Sequence, residues 1–371
     1  MELLTAATQA PGEVTDEARA TVYGLLVQFV SAGRGDEHQA AAWIHEAYRF
    51  SQGGQLRHPA PRVVAALERM LQARDAVLTA WELLLSDQDP WVRAIARLQL
   101  GKMRIMLGQG GREADVYLET ALAEFGALGE RFGISFALTE LADRIAVRGE
   151  FAAAGSHYEQ AIAVVTEVGS TEDAIRLRSQ QARLYWLLGD EAANAAAIAD
   201  AQRYAERVTW PDALAELALS KAELARWGGD AAEARRQLGV AAALLGDEAK
   251  QAVIRVVTHD LLGYLAEDLG EARAHRAAAW QAAIAAGHAP MIATALVGVA
   301  DLALRRGEYE QAARLLAAST AVRGLRDYSQ PDVARIEQAA RSRLGDTRFA
   351  EAAREGTRGS WSQLAEVTLA S

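Results

Sequence analysis

A glycine followed by an acidic residue recurs along most of this chain at a near-constant interval. The phrases are Arg148-Gly149-Glu150-Phe151, Leu188-Gly189-Asp190-Glu191, Gly228-Gly229-Asp230-Ala231, Leu269-Gly270-Glu271-Ala272 and Arg306-Gly307-Glu308-Tyr309. The spacings between their turn glycines (149, 189, 229, 270 and 307) are 40, 40, 41 and 37 residues. Upstream, Gly108 precedes Gly149 by 41, and Gly35 precedes Gly108 by 73, a gap that one further unit near 61–87 would fill. Self-similarity at a period of this size marks a chain built by stacking copies of one small supersecondary unit.

The unit is a pair of helices. About 15 residues of apolar sequence with a 3.6-residue period precede each glycine and about 16 follow it. Leu138, Leu141, Ala142 and Ile145 share one helical face, and Ala154, Tyr158, Ala161 and Ile162 share a face of the next helix. Glycine at the junction suits the left-handed residue that ends a helix, and the acid after it favours the start of the next. Alanine supplies 81 of the 371 residues, and it loses no side-chain entropy in a helix. Alanines fall at fixed points, five residues after the glycine (Ala154, Ala234, Ala312) and twelve after it (Ala161, Ala201, Ala241). Small side chains there let paired helices approach to roughly 8–10 Å. A hairpin of this size cannot bury its apolar face alone, so eight or nine should stack into one continuous all-α array.

Charge and composition exclude several functions. The net charge of −10 leaves no basic footprint for direct nucleic-acid binding. Lysine occurs only at 102, 221 and 250, and this bias toward arginine and alanine fits a GC-rich bacterial genome. The chain has no cysteine, which removes disulfides and thiolate metal sites. No run of 18 apolar residues is present, so no membrane span is expected. Residues 1–15 lack the pattern of a secretory signal, and the expected compartment is the cytoplasm.

Catalytic and metal signatures are also missing. His45-Glu46-Ala47-Tyr48-Arg49 opens like a zinc-protease helix but ends in arginine. The remaining histidines show no pair at i, i+4, and no metal site is expected. Ser156 and His157 point about 100° apart on a helix and cannot act as nucleophile and base. Gly108-Gln109-Gly110-Gly111-Arg112 lacks the lysine and hydroxyl that a phosphate-binding loop needs. The chain is expected to be no enzyme and to carry no cofactor.

Gly or Ala at the eighth position of the units (Gly101, Ala142, Ala182, Ala222, Gly263, Ala300), the turn glycine, an aromatic two residues on (Phe151, Tyr309) and the two alanine positions resemble the tetratricopeptide repeat. The resemblance covers roughly residues 15–320 and implies a right-handed solenoid. Its period near 40 is similar to the long-helix variant in large bacterial regulators. The segment Asp89–Leu98 resembles the repeat entry of AfsR/SARP-type transcriptional regulators. The tail, with Val322-Arg323-Gly324, Arg341, Leu344-Gly345, Phe349, Ala352-Ala353, Gly356 and a closing helix 361–369, resembles the end of that group and of LuxR/MalT-like regulators. The winged helix and ATPase of such regulators have no counterpart here. Asn194 departs from alanine at a packing position, and the unit around Gly270 is degenerate.

The resemblance divides the chain into a tail (1–14), a repeat array (15–324) and capping helices (325–371). It also implies that first helices line a concave groove. Counted that way, Arg176, Arg183, Trp186, Glu223, Arg226 and Tyr264 are the candidate ligand residues. Arg183 and Trp186 are three apart and suited to an anionic or planar group. Asn194 is the only asparagine, which weakens a peptide-receptor reading, since such receptors clamp peptide backbone with Asn or Gln. The expected function is the sensor arm of a bacterial transcriptional regulator. It would bind a small effector, or its own DNA-binding and ATPase domains. The alternative is a stand-alone scaffold that captures another protein's segment. Homodimerisation through an end hairpin is compatible with both.

Overall fold

A computed structural model of the chain describes residues 6, 14–31, 37–51, 58–72, 77–246 and 251–371. The tail 1–14 and the Gly35 turn lie almost wholly outside the described residues. Within them the chain forms eighteen α-helices, a short 3-10 turn and no strand. It is an all-α protein of repeated antiparallel helix hairpins.

Two compact units emerge, residues 1–104 with 116–133, and residues 105–115 with 134–371. The first contains α1 (Asp16–Ser31), α2 (Glu37–Ser51), α3 (Ala60–Gln72) and α4 (Val77–Glu82), followed by the 3-10 turn Leu83–Ser86. It also takes in most of α5 (Pro90–Met106) and α6 (Arg112–Leu128). Val27, Ile44, Ala47 and Val64 form a core among α1, α2 and α3. The repeat expected near 61–87 is present in shortened form as α3 and α4. The Asp89 carboxylate accepts the Trp91 and Val92 amides at 2.8 and 3.4 Å and so starts α5, with Pro90 at the first helical position where its missing N–H costs nothing. Arg62 ties this start back to α3 through Asp87 at 2.8 Å and Asp89 at 3.3 Å.

The second unit contains α7 (Arg131–Val147, from residue 134), α8 (Phe151–Glu167), α9 (Thr171–Leu188), α10 (Glu191–Ala205), α11 (Pro211–Trp227), α12 (Ala231–Leu245), α13 (Ala252–Leu265) and α14 (Leu269–Ala286). α15 (Ala289–Arg305), α16 (Tyr309–Arg323), α17 (Pro331–Arg358) and α18 (Trp361–Ala370) complete it. α9 pairs with α10, α11 with α12, α13 with α14 and α15 with α16. The first helices α9, α11, α13 and α15 also touch their neighbours in that order, as stacked repeats require.

The sequence period maps onto these turns. Gly149, Gly189, Gly229 and Gly307 all have left-handed φ, between 72° and 86°. Asp190 and Asp230 then cap the next helix by accepting the amides of Ala193 and Glu233 at 3.0 and 2.9 Å. Ala154, Ala234, Ala312, Ala161 and Ala201 are completely buried. Asn194 replaces alanine at the packing position because its side-chain amide donates to the Ala182 carbonyl across the hairpin at 2.8 Å.

Gly270 departs from its expected role. It lies inside α14 and not at the turn, because the Asp268 side chain accepts the Gly270 and Glu271 amides at 2.7 and 2.9 Å and starts the helix earlier. The aligned small residue is therefore Ala272, 1% exposed, and Arg276 falls where Leu238 falls in the preceding hairpin, each eight residues after the capping aspartate.

The C-terminal end is closed by a bent helix. α17 breaks at Gly345 (φ 75°, ψ 162°) and its two halves fold back on α16. Phe349 and Ala352 pack with Ala313 and Ala340. Gly356 lies so close to α16 that a Cβ there would sit 2.1 Å from the Arg314 carbonyl oxygen. Trp361 of α18 meets Trp280 edge-on at 5.8 Å.

The link from α16 to α17 runs across the inner side of this unit. Gly324 approaches the Gly108 carbonyl oxygen, 2.8 Å from where its Cβ would be. The Tyr328 amide donates to the Val147 carbonyl at the end of α7 at 2.9 Å. Asp332 then reaches Arg226 on α11 at 2.6 Å, and Arg335 reaches Asp301 on α15 at 2.6 Å. Residues 322–335 thus form a strap over the C-terminal halves of the first helices.

Candidate functional site

What the strap leaves open is a cleft between α9, α11 and α13. Its volume is about 230 Å³, and its walls include Arg176, Arg183, Glu216, Ser220 and Glu223 with Leu219, Val253, Ile254 and Val257. These positions recur at helical spacing on the inner faces of three consecutive first helices, so stacking alone brings them together. Valine and isoleucine of α13 face the charged side chains of α9 and α11, giving the cleft one apolar wall.

The charges in the cleft divide into a satisfied pair and an unsatisfied one. Arg183 holds Glu223 through two contacts at 3.1 and 3.3 Å. Its guanidinium also lies 5.3 Å from the Trp227 ring centroid. The Arg176 guanidinium lies 3.9 Å from Asp173 of its own helix and acts at longer range on the buried Asp143 carboxyl and on Glu216. Glu216 has no hydrogen-bond or ion-pair partner among the described residues. Burial pushes its carboxyl above the usual carboxylate range, and Arg176 pulls the other way.

Beside the cleft, under the strap, lies a buried charge cluster. Tyr264 stands at its centre, with the guanidinium of Arg276 3.8 Å, that of Arg226 4.2 Å and that of Arg335 5.9 Å from its ring. Three aspartates balance the three arginines. Asp260 accepts a bond from Arg276, Asp301 joins Arg276 at 3.4 Å and Arg335 at 2.6 Å, and Asp332 joins Arg226 at 2.6 Å and Arg335 at 2.8 Å. Burial pushes Asp260 up to about 6 against the pull of Arg276. Burial would raise Asp332 as well, but Arg226 and Arg335 outweigh it and hold this carboxyl below its ordinary value. Burial, then Asp332, raise the Tyr264 phenol well above its usual range.

The six residues expected to line one groove are therefore divided. Arg176, Arg183 and Glu223 share the open cleft. Trp186 does not stand beside Arg183 as a ligand platform. It packs against Trp227 at 5.1 Å between ring centroids, within a cluster that holds Ala182, Ala197 and Leu224. Arg226 and Tyr264 belong to the strap's anchor. The same count from the turn glycines puts Glu216 on this inner face without marking it as unpaired, and sequence reasoning missed Arg276, Asp301, Asp332 and Arg335. A signal was present in Gly263 and Gly298, mid-helix glycines on inner faces. A Cβ on either would fall 2.8 and 2.6 Å from the Arg276 guanidinium. Two histidines also come together: His259 and His275 place their Nδ1 atoms 3.3 Å apart across α13 and α14. No group of three or more metal-ligating side chains occurs among the described residues, and no helix there is long and apolar enough to cross a membrane.

No protein-family model matches the chain, and no curated protein matches it. Among solved structures it is similar to yeast Tom70, with TM-score 0.48 and 16% identity over 93% of this chain and 68% of that one. It is also similar to a signal-transduction ATPase with a tetratricopeptide repeat sensor from Pyrococcus horikoshii, with TM-score 0.48 and 10% identity. That match covers 96% of this chain and 53% of the other. Likeness at this level says nothing about what this chain binds.

Proposed function

We propose that the chain is a sensor arm that takes a small effector in the cleft between α9, α11 and α13. It passes the binding event to DNA-binding and ATPase domains, in the manner of the bacterial transcriptional regulators its sequence resembles. Repeat arrays of this kind offer concave surfaces for binding other molecules. One observation favours a small molecule over an extended protein segment: the strap occupies the C-terminal halves of the inner helices through Val147, Arg226 and Asp301. The remaining volume of about 230 Å³ is below the usual range for drug-sized ligands. A ligand there spans three hairpins and shifts their equilibrium by its differential affinity for two arrangements.

The test joins the chain to the DNA-binding half of such a regulator and fills the cleft with Leu219→Trp. Effector-dependent DNA binding that the substitution abolishes supports the reading. DNA binding that ignores both the effector and the filled cleft overturns it. A second measurement is the size of the native polypeptide by immunoblot. A band near 40 kDa, the 39.9 kDa of this chain alone, would remove the output domains and favour capture of a separate partner protein.

A further inference from the structure

Taken as the effector site proposed above, the cleft carries its own specification for a ligand. Its charged walls are two arginines and two glutamates, so it has no net charge to offer. Arg183 and Glu223 neutralise each other at 3.1 Å. Arg176 and Glu216 do so only in part: they face the same cavity and attract one another, yet they form no ion pair. Arg176 makes no closer contact than the 3.9 Å to Asp173, and Glu216 has no partner among the described residues. The Arg176 side chain is 38% exposed and keeps its water, whereas Glu216 is desolvated, and a carboxylate left that way is costly until something pairs with it.

An anion alone would satisfy Arg176 and be repelled by Glu216. A cation alone would satisfy Glu216 and be repelled by Arg176 and Arg183. A neutral ligand would meet both with weaker hydrogen bonds and remove their water. A molecule with an ammonium and a carboxylate a few ångströms apart answers both with opposite charge. Leu219, Val253, Ile254 and Val257 then require an apolar remainder. The volume of about 230 Å³ holds on the order of eight water-sized atoms at roughly 30 Å³ each.

We propose that this cleft binds a free α-amino acid with an aliphatic side chain, its carboxylate on Arg176, its ammonium on Glu216 and its side chain against Ile254 and Val257. Each contact is a charge-assisted hydrogen bond in a partly desolvated setting, so removing either end of the ligand should cost strongly.

Isothermal titration of the full chain with L-leucine, L-leucinamide and N-acetyl-L-leucine tests this. The amide lacks the carboxylate and the acetyl derivative lacks the ammonium. The expected result is saturable binding of leucine, with at least a tenfold loss for each analogue. Arg176→Gln and Glu216→Gln should each weaken leucine at least tenfold while leaving the far-UV circular dichroism unchanged. They should also invert the selectivity. Glu216→Gln should take N-acetyl-leucine better than the parent chain does, and Arg176→Gln should take leucinamide better. Equal affinity for leucine and either analogue overturns the zwitterion and leaves the cleft as a site for that analogue's class. No saturable leucine binding at millimolar concentration overturns it too. The Leu219→Trp response of the fused regulator reports separately on whether the cleft is the effector site.

Discussion

Gly298 on α15 is the most exacting point in the buried charge cluster, and Gly298→Ala tests the whole account of it. A methyl group there would lie 2.4 Å from the Asp260 carboxylate and 2.6 Å from the Arg276 guanidinium. Ordinary contacts begin near 3.4 Å, so about 1 Å of movement is demanded. The guanidinium has nowhere to retreat. On its other side the Gly263 backbone is so close that a Cβ would sit 2.8 Å away, and it is also tied to the Asp260 carbonyl at 2.9 Å. Helix propensity works in the opposite direction, since Gly to Ala mid-helix gains up to about 1 kcal/mol. Overpacking alone costs about 1–3 kcal/mol, whereas separating a buried ion pair costs about 3–5 kcal/mol. With the pair clamped from both sides the second figure applies, and the net expectation is a loss of about 2–4 kcal/mol. The assay is urea unfolding followed by circular dichroism at 222 nm. Gly239→Ala is the control, because that glycine is exposed on α12 with nothing near its Cβ direction. It should be stabilised by up to about 1 kcal/mol. If Gly298→Ala behaves like this control, or stays within about 0.5 kcal/mol of the parent, a level expected only away from such buried features, the clamped cluster is not how the protein is built.

Ala154→Leu should overpack the hairpin of α7 and α8 and cost about 1–3 kcal/mol, read as a lowered thermal midpoint. Asp332→Ala should leave Arg226 without its 2.6 Å partner and loosen the strap, so limited trypsin digestion should cut first at Arg326. Unchanged digestion would mean that the strap is held elsewhere. Asp260 gives a pH dependence. Its folded-state value of about 6 lies above the roughly 3.9 of an unfolded aspartate. The folded protein therefore binds this proton more readily, and this group's contribution to stability rises as pH falls from about 6 towards 4. Asp332, held below its ordinary value, contributes above that value and loses its contribution only as pH falls further. The slope of thermal midpoint against pH between 7 and 5 should flatten in Asp260→Asn, and an identical slope would refute the assignment.

The repeat was legible because turn geometry leaves residue-specific marks. A left-handed φ selects Gly149, Gly189, Gly229 and Gly307, and close packing selects the buried alanines. The unit around Gly270 was misread because its start depends on the Asp268 side chain, and a glycine inside a helix looks the same in sequence as one at a turn. The open cleft was half legible. Helical spacing placed Arg176, Arg183 and Glu223 on one face, but it could not say which arginine already had a partner. The strap was beyond reach, since no periodic rule links Asp332 to Arg226, 106 residues away.

Arrays in which each hairpin touches only its neighbours unfold piecemeal, because stability is a sum of local and nearest-neighbour terms. Contacts from Gly324 to Gly108 and from Tyr328 to Val147 break that rule within the second unit. They join elements that are distant along the chain, and the loop they close costs entropy that grows only slowly with its length. The terminal hairpin then cannot fray without breaking bonds to the beginning of the unit. Hydrogen exchange should therefore show α16 and the first half of α17 opening together with α7 and α11. A perturbation at one of the tied hairpins is then shared with the others they join, which the proposed sensor role requires and a passive spacer does not.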